Sequence, residues 1–253
     1  MGFFEDHIRI YETSEGWRMD LTDLPAPHPQ VLPFLVNYTE SKPGVVWDYR
    51  RGDNQAGHMQ RGFIVRAGIT AFLESGGMPF VDIGSAGVGC FGGIPTDIRG
   101  NGEKDNYNGV MNGVCIKTSA ANLSIFQDGS LSAVIGNHIG EHIACIRLRG
   151  NETAHEKFQL ACPGVEVVKV MKEEWIRVVR PGGYIAMVIP DDNHARLAGS
   201  SVFMADSEHQ HAWTAKAFHD NILRPLISQN LISLEEFDTL DNHFSFNFLA
   251  KKL

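Results

Sequence analysis

The sequence predicts an α/β protein whose mainly parallel β-sheet is covered by helices on both faces. Short apolar runs that end in glycine or proline lie at 80–84, 131–136 and 184–190, as is typical of buried strands. A segment with helical periodicity, 167–178, lies between two of these runs. A composition of 43% hydrophobic and 21% charged residues is that of a globular protein and excludes a disordered chain.

Residues 1–78 are predicted to form an N-terminal extension to a main domain at 79–253. Alternating segments at 7–11 and 17–21 flank a Ser-Glu-Gly turn, which indicates a β-hairpin. Four prolines then break regular structure, and they are Pro25, Pro27, Pro29 and Pro33. Helical spacing over 56–73 ends near two glycines, which is a typical helix C-terminus.

The main domain continues with further short elements along the chain. Further strands are predicted at 94–98 and, from a weaker pattern, at 114–116. A hard turn is predicted at Pro181-Gly182-Gly183, and two paired strands at 231–237 and 244–250 close the domain. A helix over 214–227 is predicted to begin with Thr214 as its N-cap.

A glycine-containing loop follows the first strand of this domain, over 82–89. At the carboxyl end of a parallel strand, small residues let the backbone approach a ligand and expose amide groups to a carboxylate or phosphate. Asp97 ends the next strand and could accept hydrogen bonds from a ribose diol. A nicotinamide cofactor is disfavoured, because Asp97 follows Gly89 by only 8 residues and leaves no room for a full helix. An ordinary strand and loop remains an alternative.

The segment from His138 to His142 has the pattern H-x-x-E-H. On a helix, both histidines could bind zinc with Glu141 as a base. Here the pattern comes straight after a strand, so no metal is expected, and a zinc hydrolase is kept only as an alternative. His138 or His142 could instead act as general base on a substrate hydroxyl, or could pack locally. His209 and His211 are secondary candidates in a later loop.

Three further segments join the glycine loop in a recognisable combination. They are D-G-S-L-S-A-V-I-G-N-H-I-G-E-H-I over 128–143, E-W-I-R-V-V-R-P-G-G-Y over 174–184, and Q-H-A-W-T over 210–214. Together they resemble the small-molecule branch of the class I S-adenosylmethionine-dependent methyltransferases. The resemblance covers about residues 79–253. It implies a Rossmann-like sheet of seven strands, mainly parallel with the last strand antiparallel, and S-adenosylmethionine as cofactor.

The same resemblance implies roles for individual residues. The methionine part of the cofactor would be held by Gly84, Ser85, Ala86 and Gly87, with Asp82 orienting it. Asp97 would bind the ribose hydroxyls, and Ile98 would lie against the adenine. Asn137, at the end of the fourth strand, would lie close to the transferred methyl group.

The chain departs from the family pattern at several positions. Ala86 stands in place of a glycine, Ser119 in place of an aspartate that contacts adenine, and Ser132 in place of the aspartate of D-G-S-F-D. The stretch 87–94 is short, and 144–168 is an insertion. A methyltransferase-like protein that binds the cofactor without turnover is therefore an alternative.

Charge and composition indicate the kind of partner. A net charge of −8 disfavours a nucleic-acid partner and favours a small-molecule or carbohydrate hydroxyl as methyl acceptor. No apolar run reaches the length of about 18 residues that a membrane span needs. The acidic start is unlike a signal peptide, and the four cysteines have no paired spacing, so a cytoplasmic protein with reduced thiols is expected.

Overall fold

The fold is described from a computed structural model. It describes residues 8–13, 16–21, 45–49, 55–85, 93–98, 104–105, 109–110, 116–143, 165–197, 199, 201–202, 209–238 and 245–253. The four prolines at 25–33, the four cysteines, Ala86, Gly87 and the greater part of the 144–168 insertion lie outside these residues.

A small antiparallel sheet begins the chain, with β1 (Ile8–Thr13), β2 (Gly16–Leu21) and β3 (Val45–Tyr49) in that order. β1 pairs with β2 from Ile8 opposite Leu21 to Thr13 opposite Gly16. The predicted N-terminal hairpin is therefore confirmed, and a third strand that was not predicted extends it.

Helix α1 (Gln55–Glu74) follows, as the helical spacing predicts. It ends in a Schellman-type turn, because Gly77 N–H donates to Phe72 O and Gly76 N–H donates to Leu73 O. Gly76 has a φ of 72°, a conformation that suits glycine. The helix packs against the central strands, and the ring of Phe80 lies against Gly68.

A seven-stranded sheet forms the centre of the protein. Its strands are β4 (Phe80–Ile83), β5 (Gly93–Asp97), β8 (Ile116–Lys117), β9 (Leu131–Asn137), β10 (Val179–Pro190), β11 (Ile232–Asp238) and β12 (Ser245–Lys252). They lie in the order β11-β12-β10-β9-β4-β5-β8. Neighbouring strands from β8 to β10 are parallel, and β12 is antiparallel to β10 and β11. The Rossmann-like sheet with an antiparallel last strand is thus confirmed. A separate two-stranded ribbon pairs β6 (Lys104–Asp105) with β7 (Gly109–Val110).

Helices cover both faces of this sheet. The second helical segment, α2, comprises Val165–Val170, a π-helical turn at Met171–Trp175, and Ile176–Val178. The last one, α4, comprises Ala215–Phe218, a π-helical turn at His219–Leu223, and Arg224–Ser228, and Thr214 caps it by accepting from Ala217 N–H. A short helix, α3 (Asp192–Leu197), follows β10.

The alternation along β4 separates the two faces. Phe80 points to α1, whereas Val81 and Ile83 belong to the core that also contains Trp175 of α2 and Phe218 of α4. Among the described residues, no helix is long and apolar enough to cross a membrane.

One prediction for this sheet is wrong. Pro181-Gly182-Gly183 does not form a hard turn that separates a helix from a strand, because all three residues lie within β10. Val179 pairs with Leu131 and Tyr184 pairs with Ala133, so the six residues 179–184 of β10 lie opposite the three residues 131–133 of β9. The extra residues form a β-bulge rather than a chain reversal.

The E-W-x-R-V segment of α2 holds the loop that leads into β9. The carboxylate of Glu174 accepts from Leu123 N–H at 2.7 Å, and Trp175 Nε1–H donates to Ala120 O at 2.7 Å. The Arg177 guanidinium donates to Leu123 O, Phe126 O and Asp128. This motif therefore acts as a structural clamp, since all of these bonds join α2 to the loop that precedes β9.

Candidate functional site

The strand order changes direction between β4 and β9, and this point defines the candidate site. From β4 the chain adds β5 and β8 on one side, then crosses to β9 on the other. Ligands of open α/β sheets bind in the crevice at such a switch point, beyond the carboxyl ends of the strands. Ile83 pairs with Gly136 at the ends of β4 and β9, so the next residues, Gly84 and Asn137, lie side by side.

Gly84 directly follows β4, where the backbone turns out of the strand. Its φ is 64°, and a Cβ atom at this position would lie 2.6 Å from Ile139 Cδ1. Any larger residue would therefore be strained by its backbone and would clash with Ile139. The chain continues with Ser85, whose N–H donates to Thr96 O at 3.0 Å and thereby ties the loop to β5.

Two carboxylates mark the ends of β4 and β5. Asp82 and Asp97 are both buried, with 2% of each residue exposed. Ile98, directly after Asp97, is 64% exposed, which is unusual for a large apolar side chain at a strand end. The structure thus brings Asp82, Gly84, Ser85, Asp97 and Ile98 to one edge of the sheet.

Asn137 ends β9 at the switch point. Its side-chain oxygen Oδ1 is buried, and no donor among the described residues reaches it. A buried acceptor without a donor costs free energy, about 1–3 kcal/mol, unless a bound group or water supplies one. Asn137 is therefore a position where a ligand donor fits.

His138 has an unusual backbone for a residue that is not glycine, with a φ of 54°. Its N–H donates to Val188 O of β10 at 2.8 Å, and its Nε2 lies 3.0 Å from Ser245 Oγ of β12. Contacts to β10 and β12 thus hold a residue with a strained backbone, as happens at functional sites. His138 and His142 do not share a helix, because the only helical turn here is the 3₁₀ turn Gly140–His142. The helical zinc arrangement of H-x-x-E-H is therefore absent.

Glu141 lies at the centre of a histidine cluster. Its side chain is fully buried, and its Oε1 lies 4.0 Å from His138 Nδ1, 4.0 Å from His142 Nε2 and 3.8 Å from His209 Nε2. The rings of His142 and His209 meet edge to face, with centroids 4.7 Å apart. We refer to Glu141, His138, His142 and His209 as the histidine cluster.

Backbone bonds fix the two segments that supply this cluster. The carbonyl of Glu141 accepts from Gln210 N–H at 2.8 Å and from His211 N–H at 3.1 Å. The His211 Nε2 atom lies 2.6 Å from Ile143 O, and the His211 ring stacks on Trp213. Burial lowers the pKa of His211 to about 4, against the opposing effect of its bond to Ile143. His211 is therefore a neutral structural residue, whereas His209 reaches the cluster.

The sequence did not predict that Glu141 and His209 meet. A signal for it exists, because β9 and β10 are parallel neighbours and the segments that follow them reach the same edge. Asp191 and Asp192, directly after β10, were also not predicted. Both are buried, with Asp191 accepting from Asn193 N–H and Asp192 accepting from Val202 N–H, so they shape the turn into α3.

Comparisons with known proteins find similarity only at the level of fold. No protein-family model matches the chain, and no curated protein matches it. Many solved structures similar to it are S-adenosylmethionine-dependent methyltransferases. The N-methyltransferase NodS of Bradyrhizobium japonicum, in complex with S-adenosyl-L-homocysteine, is 11% identical with a TM-score of 0.44, over 88% of this chain and 98% of that one.

Two further examples have similar values. A methyltransferase of Methanosarcina mazei is 16% identical with a TM-score of 0.39, over 69% of this chain and 92% of that one. The antibiotic-resistance methyltransferase Kmr is 13% identical with a TM-score of 0.35, over 70% and 86%. The fold assignment itself rests on the strand order and directions described above.

Proposed function

We propose that the protein transfers a methyl group from S-adenosylmethionine to a hydroxyl group of a small molecule or carbohydrate. The observation that carries the proposal is the edge at the switch point, where Gly84 and Asn137 lie side by side and a buried acceptor of Asn137 meets no donor among the described residues. Such an edge is where an open α/β sheet binds its ligand.

The residues at this edge fit the proposed cofactor. The carboxylate of Asp97 suits a ribose diol, which offers two hydroxyl donors. The exposed side chain of Ile98 offers an apolar surface to an adenine ring. Gly84 lets the backbone turn close to the ligand, and Asn137 Oδ1 can accept a donor from it. Asp82, Ser85, Ala86 and Gly87 complete the proposed cofactor site.

The bound cofactor would supply an electrophilic methyl group on its sulfonium sulfur. After transfer of the methyl group, the rest of the cofactor is a neutral thioether. The contribution of the protein is to hold the acceptor oxygen in line with that methyl group, which lowers the barrier without further chemistry. A hydroxyl acceptor must also lose its proton. We assign that proton transfer to His138 or His142, which follow β9 at the same edge.

The acceptor is expected to be small and not a nucleic acid. The chain has 30 acidic and 22 basic residues, so it lacks the excess of positive charge that phosphate neutralisation needs. Substrate selection is assigned to the segments 1–78, 144–168 and 191–213, to which the proposal gives no part in cofactor binding.

The test begins with calorimetric titration of S-adenosylmethionine and S-adenosylhomocysteine into the purified protein. We expect both ligands to bind. If neither binds at about 1 mM, a concentration that detects a binding free energy of about 4 kcal/mol, the proposal is refuted. A methyl-transfer assay over a panel of hydroxyl compounds follows. Cofactor binding with no transfer to any acceptor would favour the alternative of a binding protein without turnover.

A further inference from the structure

Three residues of the histidine cluster have the types and the spacing of metal ligands. One carboxylate oxygen of Glu141 and one nitrogen each of His142 and His209 all lie within 4.8 Å of one another. Glu141 is fully buried, the side chain of His209 is 9% exposed, and that of His142 is 26% exposed. The three ligand atoms are therefore close together, and His142 is the most exposed of the three side chains.

The hydrogen bond of His209 fixes which of its nitrogens faces Glu141. Its Nδ1 lies 2.6 Å from Val202 O, and a carbonyl oxygen can only accept, so the ring proton is on Nδ1. When the ring carries no second proton, its Nε2 lone pair faces Glu141. Metal-binding histidines are typically oriented in this way, with the second nitrogen donating to a carbonyl or carboxylate.

The distances suit a bridging cation better than direct hydrogen bonds. Glu141 Oε1 lies 3.8 Å from His209 Nε2 and 4.0 Å from His142 Nε2, and both separations exceed a hydrogen bond. Two ligands about 2.0–2.1 Å from a tetrahedral zinc ion lie about 3.4 Å apart. Binding would therefore need each of these two Glu141–histidine pairs to close by about 0.5 Å.

The backbone is already arranged for such a site. Glu141 O accepts from Gln210 N–H and His211 N–H, so the segment that holds Glu141 and His142 is tied directly beside His209. Little ordering is left for the ion to impose, which favours binding. The two segments are 67 residues apart in the sequence, so a metal ion would also link them at the sheet edge.

We propose that Glu141, His142 and His209 bind a divalent transition-metal ion, zinc above all. Two imidazoles and one carboxylate are a common zinc ligand set, and three protein ligands leave a fourth position open to water or a substrate oxygen. The site does not depend on methyl transfer. With His142 bound to the ion, the role of general base falls to His138, whose Nε2 is bonded to Ser245.

The experiment measures the metal alone on the full chain after chelator treatment. Zinc affinity is determined by competition with a chromophoric chelator, for the parent and for His142→Ala, His209→Ala and His219→Ala. His219 is the matched control, because it is a histidine beside a carboxylate, Asp220, on α4 and outside the cluster. We expect one ion per chain, a loss of affinity of about 100-fold or more in the first two variants, and parent affinity in His219→Ala.

Cobalt provides a second measurement that needs no variant. Cobalt-loaded parent protein should show the visible bands of a tetrahedral site with nitrogen and oxygen ligands, without the charge-transfer band of a thiolate. No zinc binding by the parent, parent-like zinc affinity in both His142→Ala and His209→Ala, or a cobalt spectrum with thiolate ligands would each overturn the proposal. Circular dichroism of each variant shows whether a loss reflects unfolding, in which case the cobalt spectrum of the parent decides.

Discussion

The carboxyl ends of β4 and β5 differ in kind from the carboxyl end of β9. The first edge consists of glycine backbone and the buried carboxylates of Asp82 and Asp97, all within 16 residues of the chain. The second edge gathers imidazoles around Glu141 and draws His209 from a distant segment. The difference shows that one set of candidate residues is local in sequence, whereas the other is brought together only by the pairing of distant segments.

If the β9 edge carries the chemistry, replacing its histidines should have the largest effect. We expect His138→Ala or His142→Ala to slow methyl transfer about 10²–10⁴-fold, because each variant removes a general base or a group that supports one. Cofactor affinity should stay near that of the parent. His219→Ala serves as the control with unchanged rate. Full activity in both variants would return the two histidines to a structural role.

The β5 edge should respond in the opposite way. Asp97→Ala removes charge-assisted hydrogen bonds worth about 1.5–3 kcal/mol each, so cofactor affinity should fall about 100-fold or more. Calorimetry measures the affinity, and thermal unfolding measures whether stability is retained. Asp97→Asn keeps the shape and removes the charge, and it should lie between the two. Equal affinity in parent and Asp97→Ala would make this residue an ordinary strand end.

The contact between the edges can be probed at Gly84. Gly84→Ala should destabilise the fold by about 1–2 kcal/mol from its left-handed backbone and by a further 1–3 kcal/mol, roughly, from the clash with Ile139. Gly76→Ala is the matched control, because Gly76 has a similar φ and open space around it.

Urea unfolding gives both free energies. The Gly84→Ala cost should shrink towards that of Gly76→Ala when Ile139 is also replaced by alanine. A cost that is the same with and without Ile139 would mean that the two edges are not packed together at this point.

The smallest of these effects concerns the clamp on the β9 side. Trp175→Phe removes the bond to Ala120 O and leaves a buried carbonyl unsatisfied, so we expect a loss of about 1–3 kcal/mol in the free energy of unfolding. The cofactor affinity of the folded Trp175→Phe protein should equal that of the parent. A large loss of cofactor affinity in a stable Trp175→Phe protein would instead give the motif a direct role in binding.

Most of the central sheet could be predicted because its strands are short apolar runs with clear ends. The run 80–83 and the run 131–137 are buried on both faces, so the pattern of each is visible without knowledge of its neighbours. The bulge at Pro181-Gly182-Gly183 could not be predicted, since the same residues are typical of turns and only pairing with β9 keeps them in the strand.

The candidate site divides in the same way. Asp97 and Gly84 could be predicted because each directly follows or ends a strand. The proximity of Glu141 and His209 could not, because it depends on the pairing of β9 with β10 and on the bonds from Gln210 and His211 to Glu141 O. Sequence patterns over a few residues do not predict contacts between segments that lie far apart in the chain.

The most direct test of the account is one calorimetric comparison with S-adenosylhomocysteine. The ligand is titrated into the parent, Asp97→Ala and His142→Ala proteins under the same conditions. The account predicts binding to the parent, binding weakened about 100-fold or more in Asp97→Ala, and parent-like binding in His142→Ala. No binding to the parent at about 1 mM ligand, or equal binding to the parent and Asp97→Ala, would contradict it.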